Sequence, residues 1–157
     1  MDASERGTDD LIIDDASRAA ALLAAGRRIA VLGMKPESMP YEPAHYVPRY
    51  LQRAGYTIVP VPVYFPEIEV MLGEPVYRTV AEVPAPIDVV LVFRKPEDVA
   101  PHVDDLIAAR PAAVWMQSGI RHADAARRLA QAGIRVVQDR CAMIDHRRIE
   151  ARQRRGA

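Results

Sequence analysis

Gly33 and Lys35 open the stretch GMKPESMPYEPAHYVPRY (33–50), which follows the apolar run RRIAVL and leads into the helical end YLQRAG. A strand, a glycine and a helix in that order can make an anion site. Glycine takes backbone angles closed to other residues and admits a close approach. The helix start offers unpaired N–H groups and the positive end of a dipole. Lys35 adds a mobile positive charge. Arg94 and Lys95 follow a second apolar run, IDVVLVFR, and Arg121 lies beyond a third, AAVWMQ. Four cations near one sheet edge suit a polyanionic small ligand. The same residues also read as solvated loop charges.

Other chemistries leave weaker traces. A dinucleotide fingerprint needs G-x-G-x-x-G and an acid about 20 residues on for the ribose hydroxyls. Only Gly33 is present, and PVPVYFPE holds no acid before Glu67. No glycine precedes a Lys–Ser or Lys–Thr pair, so a P-loop is excluded. Cys141, Asp145 and His146 lie together in DRCAMIDHRR. A Cys–His pair can form a nucleophile and base, but such pairs are usually assembled from distant segments. Cys141 reads most simply as a small buried hydrophobe, and no catalytic residue is assigned. His45, His102, His122 and His146 share no metal-ligand spacing. Tyr41, Tyr46 and Tyr64 could line an adenine or ribose pocket or pack against loops.

The elements that must position these residues alternate. Asp14 or Asp15 caps a short helix to about Ala25, with Gly26 as its stop. RIAVLGM is a strand whose apolar residues lack polar alternation, as in a parallel sheet covered on both faces. Pro40, Pro43 and Pro48 crowd the next helix, so regular helix is expected from about residues 44–47, with Val47, Tyr50, Leu51 and Ala54 on one face and Gly55 at its end. TIVPVPV (57–63) is a strand shortened by Pro60 and Pro62. A long connection follows, with a brief strand at 76–77 and a helical turn at 79–83. IDVVLVFR (87–94) is the central strand. A helix over 97–110, a strand over 112–117, a helix over 123–133 and a strand over 134–139 complete the pattern. Such alternation gives a Rossmann-like α/β fold, a doubly wound, mainly parallel sheet with helices on both faces. Ligands in such sheets bind beyond the carboxyl ends of the strands, at the switch point. That rule gathers residues 33–38, 61–64, 93–96 and 117–121.

The 157 residues suit one domain, with its core over about 20–150 and with 1–10 and 151–157 expected to fray. Lys plus Arg and Asp plus Glu number 21 each, so no net field favours nucleic acid or a membrane. The N-terminus is nonetheless acidic and the C-terminus basic, which reads as solvated ends. The single cysteine allows no internal disulfide, which fits a reducing cytosol. No signal peptide opens the chain and no apolar run approaches the roughly 20 residues of a membrane span. A cytoplasmic protein is the expectation, with any protein partner not identifiable from sequence.

GEPVYRTVAEVPAPIDVVLVFRKPEDV (73–99), AVWMQSGI (113–120) and VVQDRCAMIDHRR (136–148) closely resemble the small stand-alone CoA-binding domain proteins, often termed YccU-like. The likeness covers about residues 20–150. The resemblance implies a Rossmann-like fold related to the CoA-binding domain of succinyl-CoA synthetase α chains. It also implies binding of CoA or acyl-CoA as a small nucleotide-like ligand, without a known reaction. By the same relation, the pyrophosphate lies near Gly33, Met34, Lys35 and Pro36. Adenosine contacts Val61, Pro62, Phe93, Arg94 and Lys95, and the turn of Gln117, Ser118, Gly119 and Ile120 closes the cleft. Lys35 stands where the family commonly has serine, Pro62 where asparagine is common, and Ser118 where leucine is common. An enzyme using acyl-CoA or another nucleotide-like cofactor, and an interaction domain with a vestigial pocket, are the alternatives.

Overall fold

The computed structural model describes residues 3–156. In chain order its elements are α1 (Ala3–Leu11), β1 (Ile12–Ile13), α2 (Ala16–Ala25), β2 (Arg28–Leu32), α3 (Pro43–Arg53), β3 (Thr57–Val61), β4 (Val70–Met71), β5 (Glu74–Pro75), β6 (Val89–Val92), α4 (Val103–Ala109), β7 (Ala113–Met116), α5 (Ala123–Gln131), β8 (Arg135–Val137) and α6 (Ala142–Gly156). Six strands pair in the order β1-β8-β7-β6-β2-β3, and every pairing in that sheet is parallel. From β2 the chain steps outward to β3, then returns through β6 on the other side of β2. That reversal creates a switch point between the carboxyl ends of β2 and β6, where open α/β sheets carry their ligands.

Both sheet faces are covered, which explains the unbroken apolar runs. Ala30 and Leu32 pack with Val90, Val92, Val103, Leu106 and Leu129 under α4 and α5. Ile29 and Val31 pack with Leu23, Val47, Leu51 and Trp115 under α2, α3 and α6. Pro60 is tolerated in β3 because that strand is an edge.

Several local readings hold. Asp15 caps α2 by accepting the Arg18 N–H at 2.9 Å, and Gly26 follows its end. The turn after Thr79 closes through Val83 N–H to Val80 carbonyl at 3.0 Å, and Asp105 accepts the Val80 and Ala81 N–H groups.

Others differ. Residues 3–10, expected to fray, lie in α1, and α6 continues through 151–156. The brief strand expected at 76–77 is instead a two-residue ladder of β4 with β5, while the Tyr77 N–H bonds the outer edge of β3 at the Pro60 carbonyl. The helix expected over 97–110 begins as two 3-10 turns, Pro96–Asp98 and Ala100–His102, before α4. Pro101 lacks the N–H that a continuous α-helix would use there.

Candidate functional site

The loop after β2 is held by its neighbours before any ligand is considered. Gly33 has φ +84°, and its N–H bonds the Val61 carbonyl at 2.8 Å. A Cβ on Gly33 would overlap the Phe93 carbonyl oxygen. The close approach expected of a ligand is therefore made by the adjacent strand end. Glycine is required for sheet geometry at the switch point.

Lys35 is fixed through its backbone by α3. Its N–H bonds the Ala44 carbonyl at 3.1 Å. Within a regular helix that carbonyl would accept from residue 48, but Pro48 has no N–H to give. A proline that looked disruptive in sequence thus leaves open the acceptor that anchors the loop. The Lys35 carbonyl takes a hydrogen bond from His45 Nδ1 at 3.0 Å. A carbonyl can only accept, so Nδ1 carries the proton. His45 is buried and serves as a loop anchor. The Lys35 ammonium lies 3.4 Å from Glu42 Oε2. The backbone N–H groups of Gly33 and Lys35 are thus engaged internally. Those of Met34 and Ala44 find no acceptor among the described residues. The glycine-to-helix loop keeps part of the anion-binding capacity read from its sequence.

Arg94 lies across the crevice. Its side chain is 14% exposed, with Nη2 3.8 Å from Asp98. Its guanidinium carbon lies 5.5 Å from the Tyr64 ring centroid, within the range of a cation–π contact. Its Nε is buried without a partner. The Arg94 charge also helps hold the His102 imidazole below its ordinary range, although burial is the larger cause. Gln117 follows β7 and is 4% exposed. Its Oε1 accepts the Ala142 N–H at 3.1 Å, which ties the β7 end to the start of α6. Its Nε2 has no partner.

Arg94 Nε and Gln117 Nε2 are the buried side-chain polar atoms left unpaired among the described residues. Both residues line one cavity of about 570 Å³ at the carboxyl ends of β2, β6 and β7. Unpaired buried donors are uncommon because each carries a desolvation cost of roughly 1–3 kcal/mol. Both unpaired donors thus belong to residues of one cavity wall.

Gly33, Met34, Lys35, Phe93, Arg94, Lys95, Gln117, Ser118 and Ile120 all line this cavity. Pro36, Val61, Pro62 and Gly119 do not. Val61 is a buried strand residue whose carbonyl is engaged by Gly33. Gly119 serves the turn, with φ +81° and its N–H on Asp139 Oδ1 at 2.7 Å. Arg121 is exposed and outside the cavity. Tyr46 and Tyr64 contribute to the wall, whereas Tyr41 is 93% exposed and lines a separate groove.

Sequence reasoning missed Glu42, Asp98, Met143 and Ile144, which also line the cavity. The two acids face Lys35 and Arg94, so the cavity edge is less cationic than the strand-end lysines and arginines suggest. Met143 and Ile144 come from the start of α6, an element that the reading of the sequence did not assign.

Cys141 is half-buried and lines the cavity, which departs from the expected core thiol. His146 is engaged elsewhere. Its Nδ1 is 2.9 Å from the Tyr50 hydroxyl, and its ring meets Tyr50 and Tyr56 edge-on. Among the described residues no hydrogen bond joins Cys141 to His146, and no group of three or more His, Cys, Asp and Glu is placed to hold a metal ion.

A family described as a CoA binding domain matches residues 27–147. The uncharacterized protein YneT of Bacillus subtilis (strain 168) is 31% identical over 125 residues, covering 80% of this chain and 89% of that protein. A solved structure of cell-free ID.343 from Thermus thermophilus superposes with a TM-score of 0.77 at 39% identity, covering 86% of this chain and 98% of that one. A hypothetical protein from Pyrococcus horikoshii OT3 gives 0.76 at 30% identity, covering 86% and 92%.

Proposed function

The chain belongs to the CoA-binding domain family, and from that premise we propose that it is a non-catalytic CoA or acyl-CoA binding protein whose ligand occupies the cavity at the carboxyl ends of β2, β6 and β7. The observation that carries this reading is the pair of buried, unpaired donors, Arg94 Nε and Gln117 Nε2, on that one cavity.

The residues present fit such a ligand. Arg94 and Lys95, with the open N–H groups of Met34 and Ala44, suit phosphate oxygens. Tyr64, stacked against Arg94, offers a flat face to a base. Gln117 Nε2 suits the amide carbonyls of a pantetheine arm, and Met143, Ile144 and Ile120 give that arm an apolar wall. CoA supplies a thiol that carries acyl groups as thioesters. The protein's own part is to bind, orient and shield. NAD fits less well, because β3 ends at Val61 and is followed by Pro62, Val63 and Tyr64, with no carboxylate for ribose hydroxyls. No helix of the described residues is long and apolar enough to cross a membrane. A cytoplasmic setting, where CoA is used, accords with the reading.

Thermal unfolding with CoA, acetyl-CoA, NAD, NADP and FMN tests it. A ligand at 100 times its dissociation constant stabilises by about 2.7 kcal/mol. Stabilisation by CoA species alone is the expected result. No response to any of them would return the cavity to a vestigial role.

A further inference from the structure

We propose that Cys141 exchanges with the disulfide form of the bound ligand and thereby holds one CoA covalently as a mixed disulfide. This rests on the CoA reading and adds a reaction to it. Cys141 lines the ligand cavity and is half-buried. A thiol in a wall carries little meaning by itself, but its position is closely set. The residue before it, Arg140, accepts the Trp115 indole N–H at 2.8 Å through its carbonyl and forms a bidentate pair with buried Asp145, both bonds 2.8 Å. The residue after it, Ala142, is held by Gln117 Oε1.

Gln117 supplies the second, independent observation. It is 4% exposed, lines the same cavity, and keeps its Nε2 donor without a partner. One amide thus holds the peptide after the cysteine with its oxygen and keeps its nitrogen unpaired beside the same cavity wall. Met143, Ile144 and Ile120 line the same cavity and give it an apolar wall, which suits the uncharged end of a CoA-type ligand. The charged groups, Arg94, Lys95 and Lys35, belong to the loops after β6 and β2. A ligand with its phosphates among them has its sulfur end free to reach the Cys141 wall.

The step balances without an outside oxidant. The Cys141 thiolate attacks one sulfur of CoA disulfide, a Cys141–S–S–CoA bond forms, and the ligand's S–S bond breaks. Cys141 sulfur is oxidised and the departing sulfur is reduced. The departing CoA thiolate takes up the proton that Cys141 lost. Binding raises the local concentration of the disulfide, so exchange should favour CoA disulfide over disulfides that do not fit the cavity. Cys141 is the sole cysteine, so no second thiol of the chain can resolve the product. The adduct should persist until an external thiol arrives.

The test uses the full chain and intact-mass spectrometry. Incubated with CoA disulfide near neutral pH, the protein should gain one CoA, reversibly by dithiothreitol. Glutathione disulfide at the same concentration should react at least ten-fold more slowly, and excess desulfo-CoA should slow the CoA disulfide reaction at least ten-fold. Equal rates with both disulfides, or no protection by desulfo-CoA, would make Cys141 an ordinary accessible thiol and overturn the proposal. Calorimetry with reduced CoA, in dithiothreitol, separates the two readings. Binding without any adduct from the disulfide overturns the exchange alone. Absence of both overturns the exchange together with the CoA assignment.

Discussion

Arg94 and Lys35 looked equivalent as strand-end cations, but their surroundings set them apart. Arg94 is mostly buried, stacked on Tyr64, lines the cavity and has an unpaired Nε. Lys35 is more exposed and already faces Glu42 at 3.4 Å. Charge-assisted hydrogen bonds are the strong ones. Arg94→Ala should therefore weaken CoA binding by roughly 1–3 kcal/mol, read by calorimetry. Lys35→Ala should cost less than about 1 kcal/mol, as for exposed pairs. Glu42→Gln removes an anion from the phosphate side and releases Lys35, so CoA affinity should rise. A loss of affinity in Glu42→Gln would show that the acid serves the ligand directly. Gly33→Ala is a different kind of change. It meets both a positive φ and the Phe93 carbonyl, and should destabilise the fold by roughly 2–4 kcal/mol in urea unfolding. At this scale the sequence made Arg94, Lys95 and Gln117 legible because strand ends in a parallel sheet converge. Asp98, four residues after Arg94, was legible as a partner for it, whereas Glu42 was not legible as the opponent of Lys35, because the course of the loop sets that pairing. Cys141 was legible as a residue, while its place on the cavity wall depends on where α6 begins.

Elements position the site through a few polar ties. Asp88, just before β6, accepts the N–H groups of Arg28 and Arg27 at 2.8 Å each and so aligns β6 with the start of β2. Those two bonds, the Arg28 bond first, hold its carboxyl below the ordinary value. A depressed carboxyl contributes stability that is present above the unfolded pKa and lost as pH falls through the lower folded pKa. Wild type should exceed Asp88→Asn by about 1 kcal/mol near pH 7, a modest figure because the group is partly exposed. The difference should shrink as pH falls below the ordinary carboxylate range and the folded carboxyl takes up its proton. A difference constant across that range would mean that the ionised form is not what matters. The α2 cap and the apolar runs of β2, β6 and β7 could be read from local pattern, as could a turn near 79–83, although it is a single hydrogen-bonded turn and not a turn of helix. The anchoring role of Pro48 could not, since its effect is to leave the Ala44 carbonyl for Lys35, ten residues or so away in the chain but adjacent in space. α1 was hidden by its polar composition. Its contacts with α5 arise only after the chain has folded.

The main sheet is parallel, and its one reversal of strand order places the segments after β2, β3, β6, β7 and β8 around one cavity. Strand alternation was enough to locate that edge, and the charge census was enough to suggest an anionic ligand. Cavity shape, and the placement of Glu42 against Lys35, required the folded chain. The cavity edge carries Lys35, Arg94 and Lys95 against Glu42 and Asp98, which leaves a small cationic excess. The carboxyl end of β3 offers no acid for the ribose of a dinucleotide. The direct measurement is competition between CoA and NAD for the same protein in calorimetry, at low and at high salt. CoA should bind at least ten-fold more tightly than NAD at low salt. The gap should narrow as salt screens exposed charges over about 8–10 Å. Equal affinity at low salt, or tighter binding of NAD, would contradict the assignment of this cavity to CoA.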